Sequence, residues 1–72
     1  MTRTQINLKI RKDIVAKAML KHEYPLFTIE VISYYSHLYG VPKQVVAGNL
    51  SWLVRSGQVH ILRNRPNSYI YS

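Results

Sequence analysis

The segment that ends at Gly57 constrains the fold more than any other part of the chain, because its apolar residues recur at the spacing of one helix face. Val46, Leu50 and Leu53 stand four and three residues apart, an interval that brings side chains to the same side of an α-helix. A glycine commonly ends a helix in the left-handed conformation, and Gly57 stands where such a residue is needed. The sequence therefore predicts an amphipathic helix over residues 43–56, buried along this row and exposed on the opposite face.

The N-terminal part of the chain contains two overlapping patterns. Apolar and polar residues alternate from Ile6 to Ile10, and this alternation predicts a short strand. Apolar residues then recur at helical spacing, which predicts a first helix over residues 11–22. This helix is expected to stop before Pro25, because the residue preceding a proline is pushed toward extended conformations.

A second helix is predicted to begin after Thr28, an N-cap residue type, and to end at Gly40. Its expected inward row consists of Ile32, Tyr35 and Tyr39. Pro42 suits the first position of the third helix, where a missing amide hydrogen costs little. Two helices are therefore expected to meet across a very short turn.

The character of the chain changes after the third helix. Two segments rich in β-forming residues, VHILR and SYIY, flank the basic stretch NRPN. Pro66 is acceptable in a turn and unfavourable inside a strand, so the turn is expected over residues 64–67. The pattern predicts a β-hairpin whose basic tip is formed by Arg63, Asn64, Arg65 and Asn67.

Length and composition exclude several kinds of protein. A chain of 72 residues forms one domain at most, here residues 1–72, and buries only about 60% of its unfolded surface, which leaves little room for an internal catalytic cleft. No apolar run approaches the roughly 20 residues of a transmembrane helix, and the N-terminus lacks the apolar core of a signal peptide. We therefore expect a soluble, cytoplasmic protein, either nucleoid-associated or in the cytoplasm of a host cell.

The sequence contains no recognisable catalytic arrangement. His22, His37 and His60 are far apart and lack the spacing of a zinc site, and there is no cysteine for a disulfide or a thiolate metal site. No pair of carboxylates, glycine-rich phosphate loop or nucleophile constellation is present. We therefore expect a protein that is not an enzyme and needs no metal, cofactor or small-molecule ligand.

Positive charge points to the kind of partner. Ten Lys and Arg residues stand against three acids, which gives a formal net charge of +7. Residues 31–72 contain four of these bases and no acid at all. A polyanion is the expected partner of such a chain. The alternative is that the charge only keeps a small protein soluble.

The predicted order of helix, helix, tight turn, helix and basic hairpin resembles that of winged helix-turn-helix DNA-binding domains, as in small prokaryotic, phage or archaeal-type regulators. Gly40 and Val41 look like the turn of that family, and Ser36 supplies the small residue usual in the helix before it. The recognition helix and its exit into the first wing strand are matched by Val46, Leu50, Leu53, Val54, Gly57 and Val59. The resemblance is specific over residues 35–59 and continues in outline to Tyr71.

The resemblance implies an α+β fold of three helices followed by a C-terminal β-hairpin wing, to which the alternation described above adds a short N-terminal strand. It also implies sequence-specific binding of double-stranded DNA by a small transcriptional regulator, with helix 43–56 in the major groove and residues 63–67 on the flanking backbone or minor groove. A homodimer is expected, because a two-fold pair doubles the few contacts that one module makes. The alternatives are a winged-helix protein-interaction module, an architectural or recombination accessory factor, and a binder of RNA or single strands.

The third helix is expected to contact DNA through the residues opposite its buried row, which are Lys43, Gln44, Ala47, Gly48, Ser51 and Arg55. Lys43 and Gln44 are the candidates for base contacts, since lysine favours guanine acceptors and glutamine pairs with adenine. Ala47 and Gly48 would allow close approach to the groove or contact a thymine methyl, whereas the last two residues are placed to meet phosphate. The alternatives are that Lys43 and Gln44 are simply solvated, and that Gly48 allows another helix to pack closely.

Overall fold

The computed structural model describes residues 1–20, 26–63 and 67–72. Within these residues the chain forms three α-helices and three short strands, in the order α1 (Arg3–Met19), β1 (Leu26–Phe27), α2 (Thr28–Tyr39), α3 (Lys43–Arg55), β2 (His60–Leu62) and β3 (Tyr69–Tyr71). The strands form one antiparallel sheet. The chain is therefore an α+β protein, and the three predicted helices are confirmed over the described residues.

Helix α1 begins much earlier than the apolar pattern indicated, and the predicted strand from Ile6 to Ile10 is wrong. Thr2 and Gln5 form a capping box, in which the Gln5 N–H donates to Thr2 Oγ1 at 3.2 Å and the Thr2 N–H donates to Gln5 Oε1 at 2.9 Å. This pair satisfies two of the N–H groups that a helix start leaves unpaired. Because Ile6 and Ile10 are four residues apart, they share one face of a helix as readily as one face of a strand.

The end of α1 also differs from the predicted helix over residues 11–22. Met19 is the last helical residue, and Leu20 follows with an extended backbone at φ −72° and ψ 143°. The chain leaves the helix here because Leu26 and Phe27 pair with β3 shortly afterwards. Residues 21–25, on which the rest of this prediction falls, lie outside the described part of the chain.

The start of α2 is tied to the sheet rather than capped by a side chain. Thr28 is the first helical residue and Phe27 is the N-cap, so the prediction of Thr28 as the cap is wrong. The Thr28 N–H instead donates to the Ser68 carbonyl oxygen at 3.0 Å. The start of α2 is therefore joined by a backbone hydrogen bond to the residue before β3.

Left-handed glycines end both α2 and α3, as predicted. Gly40 has φ 62° and Gly57 has φ 79°, a conformation that glycine adopts without steric cost. After α3, the N–H of Gln58 donates back to the Leu53 carbonyl oxygen at 3.0 Å and closes the helix. The helix ends one residue before the predicted boundary, and Pro42 is its N-cap rather than its first residue.

The predicted hairpin is confirmed in its two strands and extended by a third. β2 pairs antiparallel with β3, placing Ile61 opposite Ile70. β1 pairs with the other edge of β3 and places Leu26 opposite Ile70 as well. The order of strands in the sheet is therefore β1-β3-β2. The sequence analysis missed β1, because two residues are too few to show an alternating pattern.

The hydrophobic core joins all three helices to the sheet. Its buried residues are Ile10, Ile14, Ala18, Val31, Tyr35, Val41, Val46, Leu50, Leu53, Val59 and Ile70. The predicted buried row of α3 is confirmed, since all three of its members belong to this core. In α2, Tyr35 is buried as predicted, whereas Ile32 and Tyr39 are only half-buried.

A hydrogen bond between α1 and α2 engages one of the three acids of the chain. Tyr39 Oη donates to Asp13 Oδ2 at 2.6 Å. This bond raises the pKa of Tyr39 above its usual value, because losing the proton would break the hydrogen bond to Asp13. Burial raises the pKa of the neighbouring Tyr35 to about 12. Asp13 therefore serves the packing of these two helices.

Candidate nucleic-acid interface

Helix α3 turns one polar stripe to solvent. Gln44, Gly48, Ser51 and Arg55 follow one another at intervals of four, three and four residues, and all four are exposed. This spacing keeps them on one face of the helix, opposite the buried row. The stripe contains no acid, and α3 has no acid in its first turn and Arg55 in its last. Four of the six residues predicted for the outward face therefore form one accessible stripe.

The other two predicted residues of α3 border this stripe. Lys43 is exposed in the first turn, and Ala47 is half-buried one turn later. On an ideal helix both lie between the polar stripe and the buried row, on the side of Val54. Lys43 is thus displaced from the line that the stripe follows, while Gln44 lies on it.

Gly48 leaves open space at the middle of the stripe. A Cβ atom built at Gly48 meets no heavy atom within 4 Å outside the local helix backbone. Its φ is negative, unlike that of the two terminating glycines, so the backbone does not require glycine. Within the described residues, no helix packs against Gly48 closely enough to explain the absence of a side chain.

A groove between α1 and α3, here named the α1–α3 groove, lies along one side of the stripe. Its lining consists of Arg3, Asn7, Arg11, Gln44, Val45, Gly48, Asn49, Trp52 and Arg55. Three of these residues are arginines from two helices, and no aspartate or glutamate occurs in this lining among the described residues. The predicted residues Gln44, Gly48 and Arg55 are therefore brought together with two arginines that the sequence analysis did not select.

A second groove lies on the other side of α3, between the start of that helix, α2 and residues 67–68 just before β3. Its lining consists of Thr28, Ile29, Ile32, Ser33, Lys43, Asn67 and Ser68. Lys43 and Asn67, predicted from different parts of the chain, therefore border one groove. The segment just before β3 therefore lies beside the first turn of α3, and no local pattern in the sequence indicates this proximity.

The rest of the predicted hairpin tip is described only in part. Arg63 is exposed immediately after β2, and Asn67 is exposed shortly before β3. The predicted contacts at Asn64 and Arg65 fall on residues 64–66, which lie outside the described residues. The structure therefore places the two ends of the tip and both strands that support it.

A polar cluster between α1 and α3 escaped the sequence analysis. Asn49 is 4% exposed and accepts a hydrogen bond at Oδ1 from Arg11 Nε at 2.8 Å. Its Nδ2 donates to Asn7 Oδ1 at 3.0 Å and to the Val45 carbonyl oxygen at 2.9 Å. The Arg11 guanidinium carbon lies 4.2 Å from the centroid of the Trp52 ring. A signal was present, because Asn49 precedes Leu50 at the edge of the apolar row, where a polar side chain needs buried partners.

Comparisons with known proteins do not identify a family for this chain. No protein family, curated protein or solved structure matches this chain. Over the described residues, no helix combines the length and apolar character needed to cross a membrane. The same part of the chain contains no group of three or more His, Cys, Asp or Glu side chains positioned to hold a metal ion.

Proposed function

We propose that the chain is a winged helix-turn-helix protein that binds double-stranded DNA in a sequence-specific manner and acts as a small transcriptional regulator. The acid-free exposed stripe of α3 is the main observation in its favour. The helix has 13 residues and is therefore about 20 Å long and, with side chains, about 10–12 Å wide. The major groove of B-DNA is about 12 Å wide and admits such a helix.

The surroundings of α3 support this assignment. α2 and α3 are separated by residues 40–42 alone, which is a helix-turn-helix connection, and β2 and β3 follow as the strands of a wing. The groove shared by Lys43 and Asn67 brings the β3 side of the proposed wing tip close to the start of α3. A duplex lying against the stripe would therefore meet the hairpin on its flank.

The candidate residues divide into two kinds of contact under this proposal. Gln44, in the first turn of α3, contacts base edges, with Lys43 beside it. Gly48 allows the helix backbone to approach the groove closely, and Ala47 presents a methyl group to thymine. Ser51 and Arg55 contact phosphate, as do Arg63, Arg65 and the two tip asparagines of the wing.

Alanine substitutions in the first turn of α3 test the proposal. Lys43→Ala and Gln44→Ala should each weaken binding to a duplex selected from a random library by about 1 to 3 kcal/mol, with a smaller effect on random duplex. The control is Lys9→Ala, which removes the same charge from an exposed position on α1 outside the stripe. Fluorescence anisotropy titrations on both duplexes measure the difference.

Each other outcome of this experiment has a definite meaning. An equal loss on both duplexes would make Lys43 and Gln44 phosphate contacts, and no loss would remove α3 as the recognition helix. If the unmodified protein does not bind duplex DNA, the result would favour the protein-interaction module. Preference for single strands would favour the RNA or single-strand alternative. Binding that bends duplex DNA without sequence preference would favour an architectural factor.

We also propose that the protein acts as a homodimer on a pseudo-palindromic site. Tyr34 and Leu38 stand four residues apart on α2, and each is 54% exposed, which leaves an apolar face available outside the α3 stripe. Footprinting should show two protected half-sites about 10 bp apart or a multiple of that spacing. A monomer in ultracentrifugation at binding concentrations, with one undivided protected site, would contradict this prediction.

A further inference from the structure

We propose that the α1–α3 groove binds one phosphate of the DNA backbone, with Arg11 as its central ligand. This inference rests on the proposed function and adds a contact from α1 to those of α3 and the wing. Arg3 and Arg55 line the same groove and complete the site. The groove therefore fixes the position of the backbone next to the bases that α3 contacts.

The charge of the groove fits a phosphate diester. Arg3, Arg11 and Arg55 line it together, and no acid belongs to its lining among the described residues. Guanidinium groups present several N–H donors in a planar fork that matches phosphate oxygens, often in pairs. α1 and α3 both lack an acid in their first turns, so the partial positive charge of each helix start adds to that of the arginines.

Arg11 is held in place before any ligand arrives. Its Nε donates to Asn49 Oδ1 at 2.8 Å, and its guanidinium carbon lies 4.2 Å from the Trp52 ring centroid. Asn49 is itself fixed by its bonds to Asn7 and Val45. A side chain immobilised in this way loses little further entropy when it binds.

The partners of Arg11 leave its charge available. Asn49 is a neutral acceptor, and Trp52 supplies an aromatic face, so neither cancels the positive charge as a carboxylate would. An arginine has five N–H donors, and only the Nε donor is used by Asn49. Among the described residues, no hydrogen bond engages the four donors on the two Nη atoms, which leaves them for phosphate oxygens.

The location of the groove explains what such a contact would do. Gln44 and Gly48 line the same groove as Arg11, so a phosphate held there lies directly beside the exposed stripe of α3. Phosphate contacts fix the register and orientation of a protein on the duplex without specifying sequence. Asn49 acts as a positioning residue, because it connects Arg11 on α1 to the backbone of α3.

The salt dependence of binding tests this site. Each neutralised phosphate contributes about 0.9 to the slope of log affinity against log salt. Arg11→Met keeps an unbranched apolar side chain near Trp52 and should lower the slope by about 0.9, on selected and random duplexes alike. Lys9→Met removes the same charge from α1 at an exposed position outside the groove lining and should change the slope much less.

Arg3→Met keeps the experiment decisive if Arg11→Met is unstable in thermal unfolding. Arg3 is exposed and lies in the first turn of α1. Its replacement by methionine should also lower the slope of log affinity against log salt. An unchanged slope in the folded arginine variants, with Lys43→Ala and Gln44→Ala still impairing sequence preference, would overturn this inference and leave the proposed function standing. Failure of the unmodified protein to bind duplex would instead overturn the proposed function.

Fluorescence of Trp52, the only tryptophan of the chain, distinguishes the DNA backbone from free phosphate as the ligand. Duplex should change the emission of Trp52, and the change should be lost in Arg11→Met. Inorganic phosphate at the same ionic strength should not reproduce it. A saturating response to inorganic phosphate, with none to duplex, would show that the groove is a site for a free anion and would overturn the proposal.

Discussion

The Gly48→Glu variant should lose affinity for duplex DNA by about a hundredfold or more while remaining folded. Position 48 lies at the middle of the exposed stripe, and a Cβ there meets no neighbouring atom within 4 Å. Glutamate favours the helix over glycine by about 0.5 kcal/mol, so no loss of stability is expected. In the complex, however, its carboxylate would face phosphates and base acceptors, and such like-charge juxtapositions cost several kcal/mol. Anisotropy titrations and thermal unfolding of the same preparation measure both effects.

Two variants separate charge from shape at this position. Gly48→Ala should raise the free energy of unfolding by about 1 kcal/mol and reduce DNA affinity only modestly, since it adds one methyl group to the stripe. Ala16→Glu makes the same charge change at an exposed position on α1 and should leave binding nearly intact. Unimpaired binding by Gly48→Glu would show that the stripe does not face DNA.

The Leu53→Ala variant should lower the free energy of unfolding by about 2 to 5 kcal/mol. Leu53 is fully buried in the core that joins the three helices to the sheet, so the shortened side chain leaves a cavity. A domain of 72 residues has a total stability of about 4 to 11 kcal/mol, at about 0.05 to 0.15 kcal/mol per residue. The substitution therefore removes a large part of it, as urea denaturation should show.

Leu8→Ala is the matched control for this prediction. Leu8 is 58% exposed on α1 and belongs to none of the proposed binding surfaces, so its truncation should change the stability by about 0.5 kcal/mol or less. Leu53→Ala should also lose DNA binding at temperatures where it unfolds, and regain it on cooling. A loss no larger than that of Leu8→Ala would mean that α3 is not anchored through its predicted row.

The parts of the fold that the sequence predicted well are those with local causes. The row of Val46, Leu50 and Leu53 follows the helical period, and Gly57 adopts the left-handed conformation that ends α3. Once that row is buried, the period of the helix also determines which residues face solvent. For this reason the exposed stripe could be assigned from the sequence, although its binding to DNA stays a prediction.

The N-terminal helix was mispredicted because a short pattern had two interpretations. Ile6, Leu8 and Ile10 alternate, but Leu8 is 58% exposed while Ile10 is fully buried, as the helical period requires. The capping box of Thr2 and Gln5 was a local signal for this helix start. The sequence therefore contained enough information to place the beginning of α1.

Other features depend on contacts between distant parts of the chain. β1 exists because Leu26 and Phe27 pair with β3, and Lys43 and Asn67 line one groove only because the hairpin folds back on α3. Such pairs have no local signature, since each forms only when the entire core is assembled.

The α1–α3 groove shows the same division between local and tertiary causes. Helical periodicity by itself determined the exposed stripe of α3, and composition determined the excess of positive charge. Only the packing of α1 against α3 decided that Arg11 meets Asn49 and Trp52 across 38 and 41 residues of sequence. The physical reason is that side-chain spacing acts within one helix, whereas the partner of a helix is chosen by burial of the whole core.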